Sequence, residues 1–273
     1  MKKLFIIAVT ALLGLQSANA QKIDDYGIFD HLSAGISLGT TGIGFEVAAP
    51  VTNYLQVRAG YSFAPKIKVK KNIDFDSKED WLKKEDGTGY YDNTDIEAKL
   101  NMGDFKLLVD VYPFKTSSFR LTAGAYIGQS KLVQAKSLDH FVNKKYWGNS
   151  GPELGTGADT YTIVSDKEGH INADLKVNSF KPYIGFGFGR AVPKGRIGVC
   201  FDMGVQFWGK PGIYTNISDD YTTEMGGKYQ RVDRKRITNQ DNDTYDDIKD
   251  GIKIGEKIIG YPVITLRING RIF

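Results

Sequence analysis

From Gly195 to Trp208 every second residue is apolar. Ile197, Val199, Phe201, Met203, Val205 and Phe207 alternate with Arg196, Gly198, Cys200, Asp202, Gly204 and Gln206. An extended chain turns successive side chains to opposite faces, so this stretch reads as a strand with one greasy face. The same split recurs around Ile36 and Leu38, Phe45 and Val47, Tyr61 and Phe63, Leu121 and Ile127, Ile184 and Phe186, and Ile264 and Ile268. The segment 96–112 changes phase. Ile96, Ala98, Leu100 and Met102 share one parity; Phe105, Leu107, Val109 and Val111 share the other. The switch falls at Gly103 and predicts a bulge there. The reading is eight strands, over 31–39, 42–50, 53–64, 96–112, 118–133, 178–190, 195–208 and 261–273.

The connections alternate in length. AAPVTN, PFKTSS and AVPKGR are short, and each holds a proline: Pro50, Pro113 and Pro193. The stretches 65–95, 134–177 and 209–260 are long and polar. Only the first hairpin, Gly39-Thr40-Thr41-Gly42, is short where a long loop would stand. Short turns at one end and long loops at the other are the pattern of a transmembrane barrel. An even strand count returns both termini to the short-turn side.

A soluble sandwich also alternates, but its apolar face is a packed core and its polar face is freely solvated. Here the polar parity is rich in glycine, with single charges spaced along it. That suits the crowded interior of an eight-stranded barrel, whose lumen side chains can fill. The apolar parity then meets hydrocarbon, and closure pairs every backbone group, as hydrocarbon requires. Tyr54, Tyr112, Phe114 and Phe119 stand beside short turns; Tyr61, Phe63, Phe180, Phe207 and Trp208 stand toward long loops. Two such rings are expected of interfacial aromatics.

Residues 1–20, MKKLFIIAVTALLGLQSANA, carry Lys2 and Lys3, an apolar run from Leu4 to Leu15, and Ala18-Asn19-Ala20. That is the order of a secretory signal peptide, with cleavage after Ala20 and Gln21 as the first mature residue. Residues 21–273 are then the barrel domain. Residue 21 is not cysteine, so no lipoprotein anchor is expected. The single cysteine, Cys200, excludes an intramolecular disulfide. No later run of 18 apolar residues exists for a membrane helix. The net charge of +4 gives no electrostatic case for nucleic acid.

The final segment, Leu266-Arg-Ile-Asn-Gly-Arg-Ile-Phe273, resembles the C-terminal signal of outer-membrane β-barrels. YIGFGFGRA (183–191) and VYPF (111–114) are also similar to stretches of such barrels from Bacteroidetes. The chain over about 27–273 resembles the small OmpA/OmpW-like barrel class of the Gram-negative cell envelope. That resemblance implies an all-β, eight-stranded, antiparallel up-and-down barrel in the outer membrane, both termini periplasmic. It implies outer-membrane lipids and lipopolysaccharide as surroundings, and the barrel-assembly machinery reading Phe273 as its signal. One departure stands out: Phe273 is out of phase with Ile264, Leu266, Ile268 and Ile272, and a final kink would restore it. A peptidoglycan-binding domain after the barrel is not expected.

The inward parity carries Glu46, Arg58, Asp104, Lys106, Asp110, Arg120, Lys181, Asp202, Arg267 and Arg271. In so narrow a lumen these charges must pair or meet water. They read either as an ion-pair plug or as the lining of a narrow gated ion path. Glu46, Arg58, Asp110, Arg120, Asp202 and Arg267 are the foremost of them. His31 and Ser33 lie two apart on the inward parity, where a lipid-modifying enzyme could place such a pair, but away from acyl chains; rim packing is the simpler reading. His140 and His170 lack neighbours at metal-ligand spacing. Phosphate-loop, GxSxG and dinucleotide motifs are absent. No enzyme activity, cofactor or metal is expected. In the loops, 66–71 alternates like a strand extension, 231–236 forms a basic knot, and 245–259 has the spacing of a short amphipathic helix. The leading function is structural or surface-binding, displaying the long loops to lipopolysaccharide or an envelope partner. The alternative is a narrow gated, porin-like channel for ions or small solutes.

Overall fold

The computed structural model describes residues 25–74, 78–151, 153–154, 161–218, 227–232 and 259–273. Sixteen strands lie within them. In chain order these are β1 (Ser33–Gly39), β2 (Gly42–Thr52), β3 (Leu55–Phe63), β4 (Lys68–Asp74), β5 (Asn93–Leu100), β6 (Gly103–Val111), β7 (Phe119–Gly128) and β8 (Lys131–Ser137). They continue with β9 (Glu153–Leu154), β10 (Tyr161–Ile163), β11 (Asn172–Lys176), β12 (Phe180–Phe188), β13 (Ile197–Phe207), β14 (Gly212–Ser218), β15 (Lys228–Arg231) and β16 (Gly260–Arg271).

Eight of them close into an antiparallel barrel, in the order β1, β16, β13, β12, β7, β6, β3, β2 and back to β1. Closure is made by β1 on β16, with Ser33 opposite Arg271 and Gly39 opposite Thr265. No edge is left, so every strand of the wall is paired on both sides. The alternation sorts as the parity requires. Ile36, Leu38, Phe105, Leu107 and Ile184 each expose more than half of their surface, whereas Glu46, Arg58, Asp110, Arg120 and Arg267 are buried. The barrel is inside out relative to a soluble domain.

The glycines of the inward parity make room for long charged side chains. A β-carbon on Gly187 would stand 3.2 Å from the Arg120 guanidinium carbon, and one on Gly60 would stand 2.8 Å from Cγ of Glu46. Any larger residue would push the lumen charges apart.

Strand ends differ from the sequence reading in informative ways. The stretches expected as long polar loops hold a second, eight-stranded sheet in the order β4, β5, β8, β11, β14, β10, β9, with β15 paired to β14. Several of its strands run straight on from barrel strands: β3 into β4, β5 into β6, β7 into β8, β11 into β12, and β13 into β14. Of the expected strand extension at 66–71, residues 68–71 fall in β4 and 66–67 lie before it. The bulge expected at Gly103 is not where the backbone is irregular. The pairs Phe63–Gly103 and Lys68–Lys99 leave 64–67 facing 100–102, so the extra residue lies on the β3–β4 side. The change of phase has another cause. Leu100 and Met102 pack into an inward apolar cluster above the lumen, whereas Phe105 and Leu107 point out of the wall. The apolar side of the strand swaps as the strand leaves the wall. The helical spacing at 245–259 falls outside the described residues except for Ile259, and the basic knot does so except for Arg231 and Val232.

Candidate functional site: a charged lumen sealed at both ends

The six foremost inward charges come from six strands, β2, β3, β6, β7, β13 and β16, and converge on one cluster. Arg58 is its hub. Its Nε lies 2.7 Å from Asp110 Oδ2. Its Nη2 donates to Asp110 Oδ1 at 2.9 Å and to Asp202 Oδ1 at 3.2 Å. Its Nη1 donates to Glu46 Oε2 at 3.2 Å. Arg120 donates to Asp202 Oδ1 at 2.6 Å, and its Nε stands 3.4 Å from Asp110 Oδ1. Arg267 and Lys106 both hold Glu46, at 2.7 and 2.6 Å. Thr122 adds a hydroxyl donor to Asp110 at 2.7 Å.

All these groups are buried. Taking charges out of water is expensive, and only dense mutual pairing of this kind offsets it. The cluster brings four cations, Arg58, Lys106, Arg120 and Arg267, against three carboxylates, Glu46, Asp110 and Asp202. Nε and Nη2 of Arg267 have no hydrogen-bond partner among the described residues. Nearer the long-loop end a separate pair stands alone: Lys181 donates to Asp104 at 2.6 Å and to the Gln129 carbonyl at 3.0 Å.

The short-turn end is stoppered by the chain itself. The connection 189–196 between β12 and β13 folds back so that Ala191 and Val192 are fully buried. Their backbone groups are met by side chains of the wall. Ala191 N–H donates to the Tyr112 hydroxyl at 2.9 Å, and Val192 N–H to Gln56 Oε1 at 2.9 Å. Tyr112 in turn donates to Gln56 Oε1 at 3.0 Å. The Ala191 carbonyl accepts from Ser33 Oγ and from Asn269 Nδ2, both at 2.6 Å. Tyr26 covers the stopper from below, its hydroxyl donating to the Val192 carbonyl at 2.8 Å. Arg190 lies over the rings of Tyr112 and Tyr26, its guanidinium carbon 4.5 and 5.7 Å from their centroids.

The long-loop end is sealed by apolar packing. Met102, Leu132, Val177 and Trp208 form one buried cluster with Tyr261 against it, and Trp208 stacks on Tyr261 at 4.4 Å. Below it Leu108, Tyr126, Tyr183 and Val263 fill the barrel's waist. Between these and the charged hub remains a void of about 10 Å³, the room of at most one water molecule.

Two aromatics expected in the interfacial rings are therefore corrected. Tyr112 and Trp208 are buried in the lumen. Both belong to the inward parity, and each has a polar atom that needs a buried partner: Tyr112 finds Gln56, and Trp208 Nε1 donates to Gln206 at 2.9 Å. Tyr54, Phe114, Tyr61, Phe63, Phe180 and Phe207 are exposed. The stopper itself escaped the sequence reading. Its one local signal was the apolar pair Ala191-Val192 inside a turn that should have been polar.

His31 and Ser33 do not meet. His31 Nδ1 lies 3.0 Å from Asp30, while the Ser33 hydroxyl is spent on the stopper's carbonyl. His140 stands edge-on to Tyr91 and Trp147 in the loop cap. Beyond Arg271, where β16 ends, the parity lapses and both Ile272 and Phe273 stand outside. The Phe273 carbonyl accepts from Leu32 N–H at 3.3 Å, and Ile272 N–H donates to the Leu32 carbonyl at 2.7 Å. That holds the last residues beside the start of β1.

No family model matches the chain, and no curated protein matches it. Solved structures similar to it include two from Acinetobacter baumannii. The crystal structure of CarO2 gives a TM-score of 0.43 at 18% identity, over 88% of this chain and 98% of that one. The crystal structure of CarO gives 0.42 at 17%, over 87% and 96%. Similarity of that depth carries no argument about function, which rests on the residues themselves.

Proposed function

We propose that this chain spans the outer membrane of a Gram-negative envelope as a sealed barrel, long-loop end outward and both termini periplasmic, with a structural or surface-binding, non-enzymatic role. The observation that carries the reading is the pairing of an exposed apolar wall with a filled, charged lumen. A soluble monomer avoids a contiguous apolar surface of that extent. Hydrocarbon covers it without cost, and the closed ladder leaves no backbone group to be solvated. The filled interior argues against conduction. Among the described residues two plugs and a paired hub fill the lumen, which supports a closed barrel.

Fractionation of expressing cells tests the location. The protein is expected in the outer-membrane fraction, with faster migration unheated than boiled on a denaturing gel. Recovery as a soluble species without detergent would defeat the reading. Planar-bilayer recording tests the seal, and silence is expected. Steady channels that change with Asp202→Asn would favour the gated path through the Arg58 hub.

A further inference from the structure

Where the strands leave the wall, their outward side changes character within a few residues. β6 turns Phe105 and Leu107 outward. Its parity runs unbroken through Met102 to Leu100, both packed inward, so in β5 the outward positions are Lys99 and Glu97. β12 turns Phe180 outward, and its parity runs through the inward Val177, so in β11 the outward positions are Lys176 and Asp174. Register sets Lys68 opposite Lys99 and Lys131 opposite Lys176. Four lysines, Lys68, Lys99, Lys131 and Lys176, therefore rim the barrel just beyond its apolar wall.

Among the described residues this row is short of acid. Glu97 is shared by Lys99 at 3.1 Å and Lys68 at 3.6 Å. These two hold its carboxyl below the usual carboxylate range, the hydrogen bond from Lys99 foremost. Asp174 takes Lys131 at 2.7 Å and the Tyr229 hydroxyl. Lys176 Nζ lies over the stacked rings of Tyr214 and Tyr229, at 4.5 and 4.3 Å from their centroids. Among the described residues two carboxylates thus face four lysines, and side-chain exposures of 57% at Lys68, 47% at Lys99 and 41% at Lys131 leave these ammonium groups accessible.

Further down the two strand paths that carry Lys68 and Lys99, the wall is hollowed. The small outward residues Ala34 and Ala59 leave a groove of about 790 Å³ between Ile36, Phe45 and the Tyr61–Phe105 pair, whose rings are 4.7 Å apart. Its lining is almost wholly apolar. A ligand filling both features needs negative charge at one end and hydrocarbon at the other.

We infer that the basic row and the groove beneath it seat a phosphorylated membrane lipid, its phosphates on the lysines and an acyl chain in the groove. The inference rests on the membrane-spanning reading above. Charge complementarity selects the phosphate, and continuity with the lipid-facing wall selects a lipid over a free anion or an acidic protein.

The test uses the purified full-length barrel, stripped of lipid in detergent, then incubated with diphosphorylated lipid A, dephosphorylated lipid A, or inorganic phosphate as competitor. Native mass spectrometry reads the lipid retained per folded barrel. Diphosphorylated lipid A is expected to stay bound, and K68Q/K99Q/K131Q/K176Q to lose roughly tenfold or more in affinity, each lysine near an anionic surface adding to attraction. Ala59→Trp, which fills the groove, is expected to reduce retention too. K83Q/K144Q/K145Q, in the loop cap, is expected to match the parent. Equal retention by the quadruple variant, equal retention of dephosphorylated lipid, or full displacement by inorganic phosphate would overturn the proposal. Gel mobility before and after heating is read on every variant. Loss of the folded form in the parent protein would instead defeat the membrane reading, so the two failures are told apart.

Discussion

Arg58 shows what a single residue does here. It touches Glu46, Asp110 and Asp202, which lie 12, 52 and 144 residues away along the chain. Replacing it with alanine would leave three buried carboxylates each short of a cation. Breaking a buried ion pair from one side costs about 3–5 kcal/mol, so Arg58→Ala is expected to lower the unfolding free energy in detergent or liposomes by that order. Denaturant titration followed by gel mobility measures it, and a loss below ~1 kcal/mol would mean that water already solvates the hub. Cys200 offers a non-perturbing probe. Its thiol is buried and donates to the Arg190 carbonyl at 3.2 Å. A maleimide is expected to label it only after denaturation, and rapid labelling of the folded barrel would show an open lumen. The inward parity of these residues was legible in the sequence. Their partners were not, because parity says which face a side chain takes and nothing about which strand stands across the lumen.

At the scale of elements, the β12–β13 connection matters most. A short turn was legible from Pro193, but its descent into the lumen was not. It depends on Tyr112, Gln56, Ser33 and Asn269 arriving from four other places in the wall. Tyr112→Phe keeps the ring and removes the hydroxyl that accepts from Ala191 N–H. A buried donor left unmet costs about 1–3 kcal/mol, and that loss is expected in the same unfolding assay. Gly189 at the head of the turn has φ +93°, and a β-carbon there would collide with the Val199 carbonyl. Gly189→Ala is therefore expected to destabilise the stopper as well, through strain. The last strand makes the opposite case. The Phe273 ring is exposed, so Phe273→Ala is expected to leave the stability of the folded barrel within ±0.5 kcal/mol, as surface substitutions do. If Phe273 serves as the assembly signal, the same change lowers the amount of barrel assembled in cells. Unchanged assembly, read as heat-modifiable protein per cell, would remove that role.

For the whole molecule the decisive contrast is between wall and second sheet. Leu107 and Val69 are both exposed apolar residues, at 63% and 59%. In water, a charge at either site would be tolerated alike. In a bilayer Leu107→Arg is expected to cost about 2–4 kcal/mol near the midplane, while Val69→Lys, beyond the wall, costs little. Equal, small effects in liposome-reconstituted protein would place Leu107 in water and sink the membrane reading. What the sequence determined alone was the parity: eight alternating segments, the face that most wall residues take, and an even-stranded closed sheet. Parity is local covalent geometry, repeated every two residues, so it can be read without knowing the neighbours. The tertiary structure alone decided the meeting of six charges around Arg58, the burial of Tyr112 and Trp208 as seals, and the growth of polar loops into a second sheet. Those depend on register and closure around the barrel, which bring together residues far apart in the chain, and no local pattern encodes them.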